Sequence, residues 1–206
     1  MAPRRLLVLA TLNTGKVREI AAMLAGLPFD VRSLAEVPGA SLPPESADSY
    51  AANALVKART AAALTGALAL GDDSGLEVDA LGGGPGVLTA RYGGPGLDDA
   101  GRYRRLLQAL ADVPEGRRRA RFRCVIAIVE PGGTEHVVEG VAEGAIAREP
   151  RGQGGFGFDP VFLYPPLGRT FGELSDADKA AVSHRGRAVR AARRVLADCY
   201  APALGA

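Results

Sequence analysis

The sequence predicts an α/β fold, on three observations. The apolar run Leu6-Leu7-Val8-Leu9-Ala10 leads through a short polar turn into apolar residues at helical spacing, a strand–turn–helix unit. A second strand-then-helix pattern follows before residue 66. Later, two long strand-like segments flank Pro131-Gly132-Gly133, the pattern of an antiparallel hairpin, so the sheet is expected to be mixed. At 206 residues the chain is expected to form a single domain over 1–206 with room for a substantial core.

The elements follow in order. After the first strand, Thr11-Leu12-Asn13-Thr14-Gly15-Lys16 forms the turn, and Val17, Ile20, Ala21 and Leu24 give the helix its apolar stripe, ending at Gly26. Asn13 or Thr14 can cap that helix. Its first turn attracts anions and Lys16 adds a full positive charge. An ordinary capped helix with a surface lysine would look the same. The glycines of a Walker loop are missing. Phe29 to Leu34 alternates and reads as a second strand, and Val37 to Pro44 as a loop ending at Glu45. Asp48-Ser49 then caps a helix on which Asn53 and Lys57, four apart, share a face.

The apolar run Ala67-Leu68-Ala69-Leu70 is expected to be a short buried strand ending at Gly71. Asp72-Asp73-Ser74-Gly75 follows. Adjacent carboxylates at a strand end suit a hard cation such as Mg²⁺, which takes oxygen ligands. In isolation the same residues make a polar turn. Gly82-Gly83-Gly84-Pro85-Gly86 reads as a flexible loop, and Asp98 to Ala111 as a helix with Tyr103, Leu106, Leu107 and Leu110 on one stripe. Arg117, Arg118, Arg119, Arg121 and Arg123 form a basic cluster. It reads either as a nucleic-acid contact or as a solvated turn entering a strand, and no aromatic ladder accompanies it. Phe122 to Val129 and His136 to Ala147 are the two long strands. In Gly152 to Phe162, glycines allow close backbone approach, while Phe156 and Phe158 offer flat faces to a ligand base or to the core. A helical turn carrying Lys179 follows, and Ser183-His184-Arg185 opens the final helix, where His and Arg are ordinarily surface residues.

Composition narrows the function. With 25 Lys and Arg against 23 Asp and Glu, the net charge of +2 is too small to argue for nucleic acid or a membrane surface. Two distant cysteines form no metal or disulfide framework, which fits a reducing, cytoplasmic compartment. No apolar run is long enough to span a bilayer.

The ordered set of motifs resembles the inosine triphosphate pyrophosphatase family, the Ham1-like or RdgB-like enzymes acting on non-canonical purine nucleoside triphosphates. The resemblance is carried by Thr11-x-Asn13-x-x-Lys16, Glu45, Asn53-Ala54, Lys57-Ala58, Asp72-Asp73-Ser74-Gly75-Leu76 and Thr89-Ala90-Arg91-Tyr92. Gly154-Gly155-Phe156-Gly157-Phe158-Asp159-Pro160 and Ser183-His184-Arg185 complete it. It spans nearly the whole chain. Leu12 and Phe158 stand where bacterial members often have Gly and Tyr, and Thr89 replaces the usual Ser.

The resemblance implies an elongated mixed sheet in two lobes, with the nucleotide in a central cleft, and a homodimer. It also implies hydrolysis of ITP, dITP or XTP to the monophosphate and pyrophosphate, clearing them from the nucleotide pool. On that basis Mg²⁺ is expected at Asp73 and Glu45 with Asp72 close by, and Asp73 is expected to take a proton from the attacking water. Thr11, Leu12, Asn13, Thr14, Gly15, Lys16, Lys57 and Ser74 are expected on the phosphates. Phe156, Gly157, Phe158, Asp159, Lys179, His184 and Arg185 are expected at the base. Three other readings stay open: a nucleotide-binding module without turnover, a nucleic-acid binder using the Arg117–Arg123 cluster, and a Maf-like pyrophosphatase of modified pyrimidine nucleotides.

Overall fold

A computed structural model describes residues 4–45 and 48–201. Among the described residues seven strands follow the order β2-β1-β3-β4-β5-β6-β7 in one sheet. They are β1 Arg5–Leu9, β2 Phe29–Ser33, β3 Leu68–Val78, β4 Arg119–Val129, β5 Glu135–Ile146, β6 Phe162–Tyr164 and β7 Arg169–Thr170. The α-helices are α1 Thr14–Leu24, α2 Tyr50–Thr65, α3 Asp99–Ala109, α4 Asp176–Val182 and α5 His184–Val195. β1 pairs parallel with β2 and β3, whereas β5, β6 and β7 pair antiparallel, so the α/β class and the mixed sheet are as expected. No helix among the described residues is long and apolar enough to cross a membrane.

The chain divides into two compact units. The described residues of Met1–Asp73, Cys124–Gly140 and Arg185–Ala206 form the first, and Ser74–Arg123 with Val141–His184 forms the second. β3, β4 and β5 each contribute residues to both.

In the first unit, Leu7 and Leu9 of β1, Leu68 and Leu70 of β3, and Cys124, Ile126 and Ile128 of β4 point to one face. They pack with Ile20 and Leu24 of α1 and Ala188, Val189 and Ala192 of α5. This is the period-2 pattern of strands meeting the 3.6-residue pattern of helices. α2 packs on β3 from the other face. A side chain at Gly71 would run into the Ala54 carbonyl and come within 2.8 Å of the Ala58 nitrogen, so only glycine lets strand and helix approach this closely.

β3 corrects the expectation that a strand ends at Gly71. It continues through Asp72, Asp73 and Ser74 to Val78. Gly, Asp and Ser in a row signal a turn locally, but here both carboxylates find partners on flanking helices, so burying them inside a strand is tolerated.

In the second unit, Leu106 and Leu110 of the predicted α3 stripe pack on Leu76, Val78, Phe122, Phe158, Val161, Phe162 and Phe171. The glycine loop at 82–86 is tied down. Val78 N–H donates to the Gly84 carbonyl, Gly83 N–H to the Val78 carbonyl, and Thr89 Oγ1 accepts from Leu76 N–H at 2.8 Å. Of the basic cluster, Arg118 is buried, Arg121 and Arg123 are half-buried, and Arg117 and Arg119 are exposed. Arg118 donates to the carbonyls of Leu110, Ile146 and Ala147, while Arg121 and Arg123 both pair with Glu77. The expected solvated turn is thus wrong for Arg118, and three of the five arginines are engaged with the protein itself.

Candidate active site

The first unit gathers the residues expected on phosphate and metal, apart from Ser74. The β1–α1 turn carries Thr11 to Lys16. Asn13 is the cap, its Oδ1 accepting from Lys16 N–H at 3.0 Å. Thr11 is buried, Leu12 and Thr14 are exposed, and Gly15 is half-buried. The cap starts α1 so that Lys16, one turn in, reaches Asp72 Oδ2 at 2.7 Å.

Strand alternation sends the two neighbouring aspartates to opposite faces. Asp72 enters the face covered by α1 and α5, where Lys16 and Arg185 surround it. Burial pushes its pKa up, but Lys16, then Arg185 and Lys57, outweigh that and hold it below the ordinary carboxylate value. Its Oδ1 is buried with no hydrogen-bond partner. Asp73 faces α2, where Asn53 Nδ2 donates to its Oδ2 at 3.0 Å and Lys57 Nζ lies 3.6 Å from its Oδ1. Burial dominates here and raises its pKa, against the opposing pull of Lys57 and Asn53. Lys57 also donates to Glu45 at 2.8 Å, bringing the loop carboxylate to Asp73 through a shared ammonium. Burial disfavours the charged Lys57, but Asp72, Asp73 and Glu45 together raise its pKa. Ser74 follows, half-buried, as the first residue of the second unit.

Asp73 and Glu45 therefore both lie against the Lys57 ammonium. Asp72, turned to the other face, does not join them in a common ligand set. Among the described residues no group of three or more His, Cys, Asp and Glu side chains is arranged to hold a metal.

Arg185, expected at the base, lies in the first unit. Its guanidinium donates to Glu19 Oε2 at 2.6 Å, and both side chains are buried or nearly so. Glu19 was missed by the sequence reading. The only signal for it is its position three residues after Lys16, on the same side of α1. In all, Lys16, Lys57 and Arg185 face Asp72, Asp73, Glu45 and Glu19, three cations among four carboxylates.

The second unit holds the other expected base residues. Lys179 Nζ donates to Asp159 Oδ2 at 2.6 Å, and both are almost fully buried. The same Oδ2 accepts from Phe156 N–H at 2.7 Å, and Lys179 Nζ sits 4.8 Å from the Phe156 ring centroid. Any side chain at Gly155 would collide with the Asp159 carboxylate, which accounts for that glycine. Gly157 N–H donates to Asp99 of α3 at 2.7 Å. His184 is buried and stacks on Phe122 with centroids 4.5 Å apart. Phe158, expected to offer a flat face, is 3 % exposed and packs edge-on to Tyr92 in the core. Its apolar ring is worth more inside than beside a polar ligand.

Set against known proteins, this arrangement has a clear kinship. The family model described as the Ham1 family matches residues 7–195. The chain belongs to the Ham1 family. Among Ham1 relatives, it is 50 % identical over 194 residues to the dITP/XTP pyrophosphatase of Desulforamulus reducens, covering 94 % of this chain and 96 % of the relative. It is 45 % identical to the dITP/XTP pyrophosphatase of Escherichia coli O157:H7 over 185 residues, 89 % of this chain and 93 % of that one. The solved structure of a HAM1 protein from Coxiella burnetii superimposes with a TM-score of 0.86 at 40 % identity, over 95 % of this chain and 100 % of the other. The dITP/XTP pyrophosphatase of Mycobacterium abscessus gives 0.72 at 44 % identity, over 91 % and 97 %. The α/β Ham1 architecture is thereby established for this chain.

Proposed function

We propose that this protein hydrolyses non-canonical purine nucleoside triphosphates, ITP, dITP and XTP, to the monophosphate and pyrophosphate. It is an enzyme of the dITP/XTP pyrophosphatase type, by its identity to relatives of that activity over most of its length. The observation that carries the assignment within the molecule is the convergence of Asp73 and Glu45 on Lys57, beside the capped α1 start that bears Lys16.

The chemistry follows from charge. A triphosphate is strongly anionic, and the cluster offers more carboxylates than cations, so it cannot hold one without an added cation. Mg²⁺ fits this donor set, because it uses one or two carboxylates and fills its other positions with water and phosphate oxygens. Asp73 and Glu45 would hold it. When bound it supplies charge neutralisation and polarisation of the phosphorus that is attacked. Lys16 and the first turn of α1 bind phosphate, with Lys57 adding charge from α2. Asp73 accepts the proton of the attacking water as the Pα–O bond to the leaving pyrophosphate breaks. Water beside a bound Mg²⁺ would already be acidified, so a carboxylate of ordinary basicity would suffice.

At the base end, Phe156 stacks on the purine. Lys179, oriented by Asp159, donates to the C6 oxygen of hypoxanthine or xanthine. Adenine presents an amine there, and two donors facing each other cost orders of magnitude in turnover. His184 and the backbone at Gly157 complete that side. Arg185 neutralises Asp72 from behind. We further infer a homodimer, supported by the family resemblance alone, and a cytoplasmic location, which two free cysteines fit.

The test is a nucleotide panel with and without Mg²⁺, scored for pyrophosphate against orthophosphate. Pyrophosphate from ITP, dITP and XTP, with little from ATP and none in EDTA, is expected. Equal turnover of all purine triphosphates, or release of orthophosphate, would refute the reading.

A further inference from the structure

The segment 154–159 is held by a hydrogen bond from each of four backbone N–H groups. Gly154 donates to the Gly172 carbonyl at 2.8 Å, Phe156 to Asp159 Oδ2 at 2.7 Å, and Asp159 to the Phe156 carbonyl at 3.3 Å. The fourth, Gly157 to Asp99 Oδ2 at 2.7 Å, runs to a side chain 58 residues away at the start of α3. Asp99 is exposed, and Asp98 already caps α3 by accepting from Gly101 N–H at 2.7 Å. The helix therefore has its cap without Asp99, and the second carboxylate is committed to the loop. An ionised acceptor on a backbone N–H is among the stronger hydrogen bonds, and this one pins the residue next to Phe156.

We propose that Asp99 is a positioning residue for substrate selection: by fixing Gly157 it holds the Phe156 ring, and with it the Lys179–Asp159 pair, in register for an oxopurine. This rests on the reading of Phe156 and Lys179 as the base-binding groups. Asp99 touches no reacting atom, so its loss loosens base recognition and leaves the chemical step alone.

Asp99→Ala and Asp99→Asn are compared with wild type, with Mg²⁺ present, by dITP, dGTP and dATP kinetics and by hydrogen exchange of a peptide spanning 154–159. Asp99→Ala is expected to raise KM for dITP on the order of 10-fold, the worth of one charge-assisted hydrogen bond, with kcat within about 2-fold. The preference for dITP over dATP should fall by a similar factor, and exchange in 154–159 should quicken. Asp99→Asn, which keeps an acceptor oxygen, should restore most of the preference. Unchanged KM and preference in Asp99→Ala overturn the proposal. So does a parallel fall of kcat for every substrate with a lowered Tm, which marks a merely structural residue. If wild type releases no pyrophosphate from dITP, the base-binding reading itself fails. If wild type turns over and the variants match it, only the role of Asp99 fails.

Discussion

Asn53 donates its side-chain amide to the carboxylate of Asp73 at 3.0 Å, from a helix packed directly over the strand that carries the aspartate. The bond stabilises the ionised form, while burial pushes the other way and prevails. Asp73 is thus more basic than an exposed carboxylate.

Two variants test that balance. Asp73→Asn should lower kcat by roughly 10²–10⁴-fold, the usual worth of a general base, with Mg²⁺ saturating. Asn53→Ala removes a donor to the ionised form, so the acidic limb of the kcat/KM profile should move to higher pH. A limb that stays put or moves down would show that Asn53 does not tune Asp73.

Lys179 and Asp159 form a buried pair with side chains about 4 % exposed. Taking out one member strands the other charge. Lys179→Met and Asp159→Asn should each cost about 3–5 kcal/mol of stability. Urea unfolding measures this. A loss below 1 kcal/mol for both would mean that the pair is hydrated rather than buried.

Gly71→Ala places a methyl group against the backbone of α2, which cannot yield as a flexible side chain would. It should destabilise by about 1–3 kcal/mol through overpacking. Gly116→Ala is the control. Nothing lies within 4 Å of a side chain there, and it should change stability by less than about 0.5 kcal/mol. Equal Tm values for the two would discount the close approach.

The two thiols should behave differently. Cys199 is exposed and Cys124 is buried, with burial pushing its pKa up to about 12. Ellman's reagent should label one thiol per chain rapidly under native conditions and two in denaturant. Cys124 is also more easily deprotonated unfolded than folded. Its contribution to stability is therefore complete below its ordinary value of 9.0 and is lost as pH rises toward 12. Cys124→Ala should flatten that alkaline loss.

The strand–helix units were legible because Leu6 to Ala10 and Val17 to Leu24 carry periodicities that only the intended elements satisfy. The gathering of Glu45 and Asp73 around Lys57 was foreshadowed too, by motifs that follow the family's order. β3 was not. Gly71 to Gly75 looks like a turn in any short window. The helices that let it stay extended, α1 and α2, lie earlier in the sequence, and the third, α5, begins at residue 184. Arg118 failed for the same reason, since its three carbonyl partners come from Leu110, Ile146 and Ala147. Glu19 has no motif of its own. It matters only because Arg185, 166 residues on, is folded against it.

The interleaving of the two units imposes an order on synthesis. Chains emerge from the ribosome N-terminus first. The unit that ends at His184 has all its segments once that residue is made, although it starts later in the sequence. The unit bearing Lys16 and Asp73 must wait for Ala188, Val189, Ala192 and Leu196 to close over β1 and α1. Its apolar surfaces therefore stay open through nearly the whole of translation. A message truncated before α5 would yield a polypeptide with Glu45, Asp72 and Asp73 present and the core of their unit incomplete.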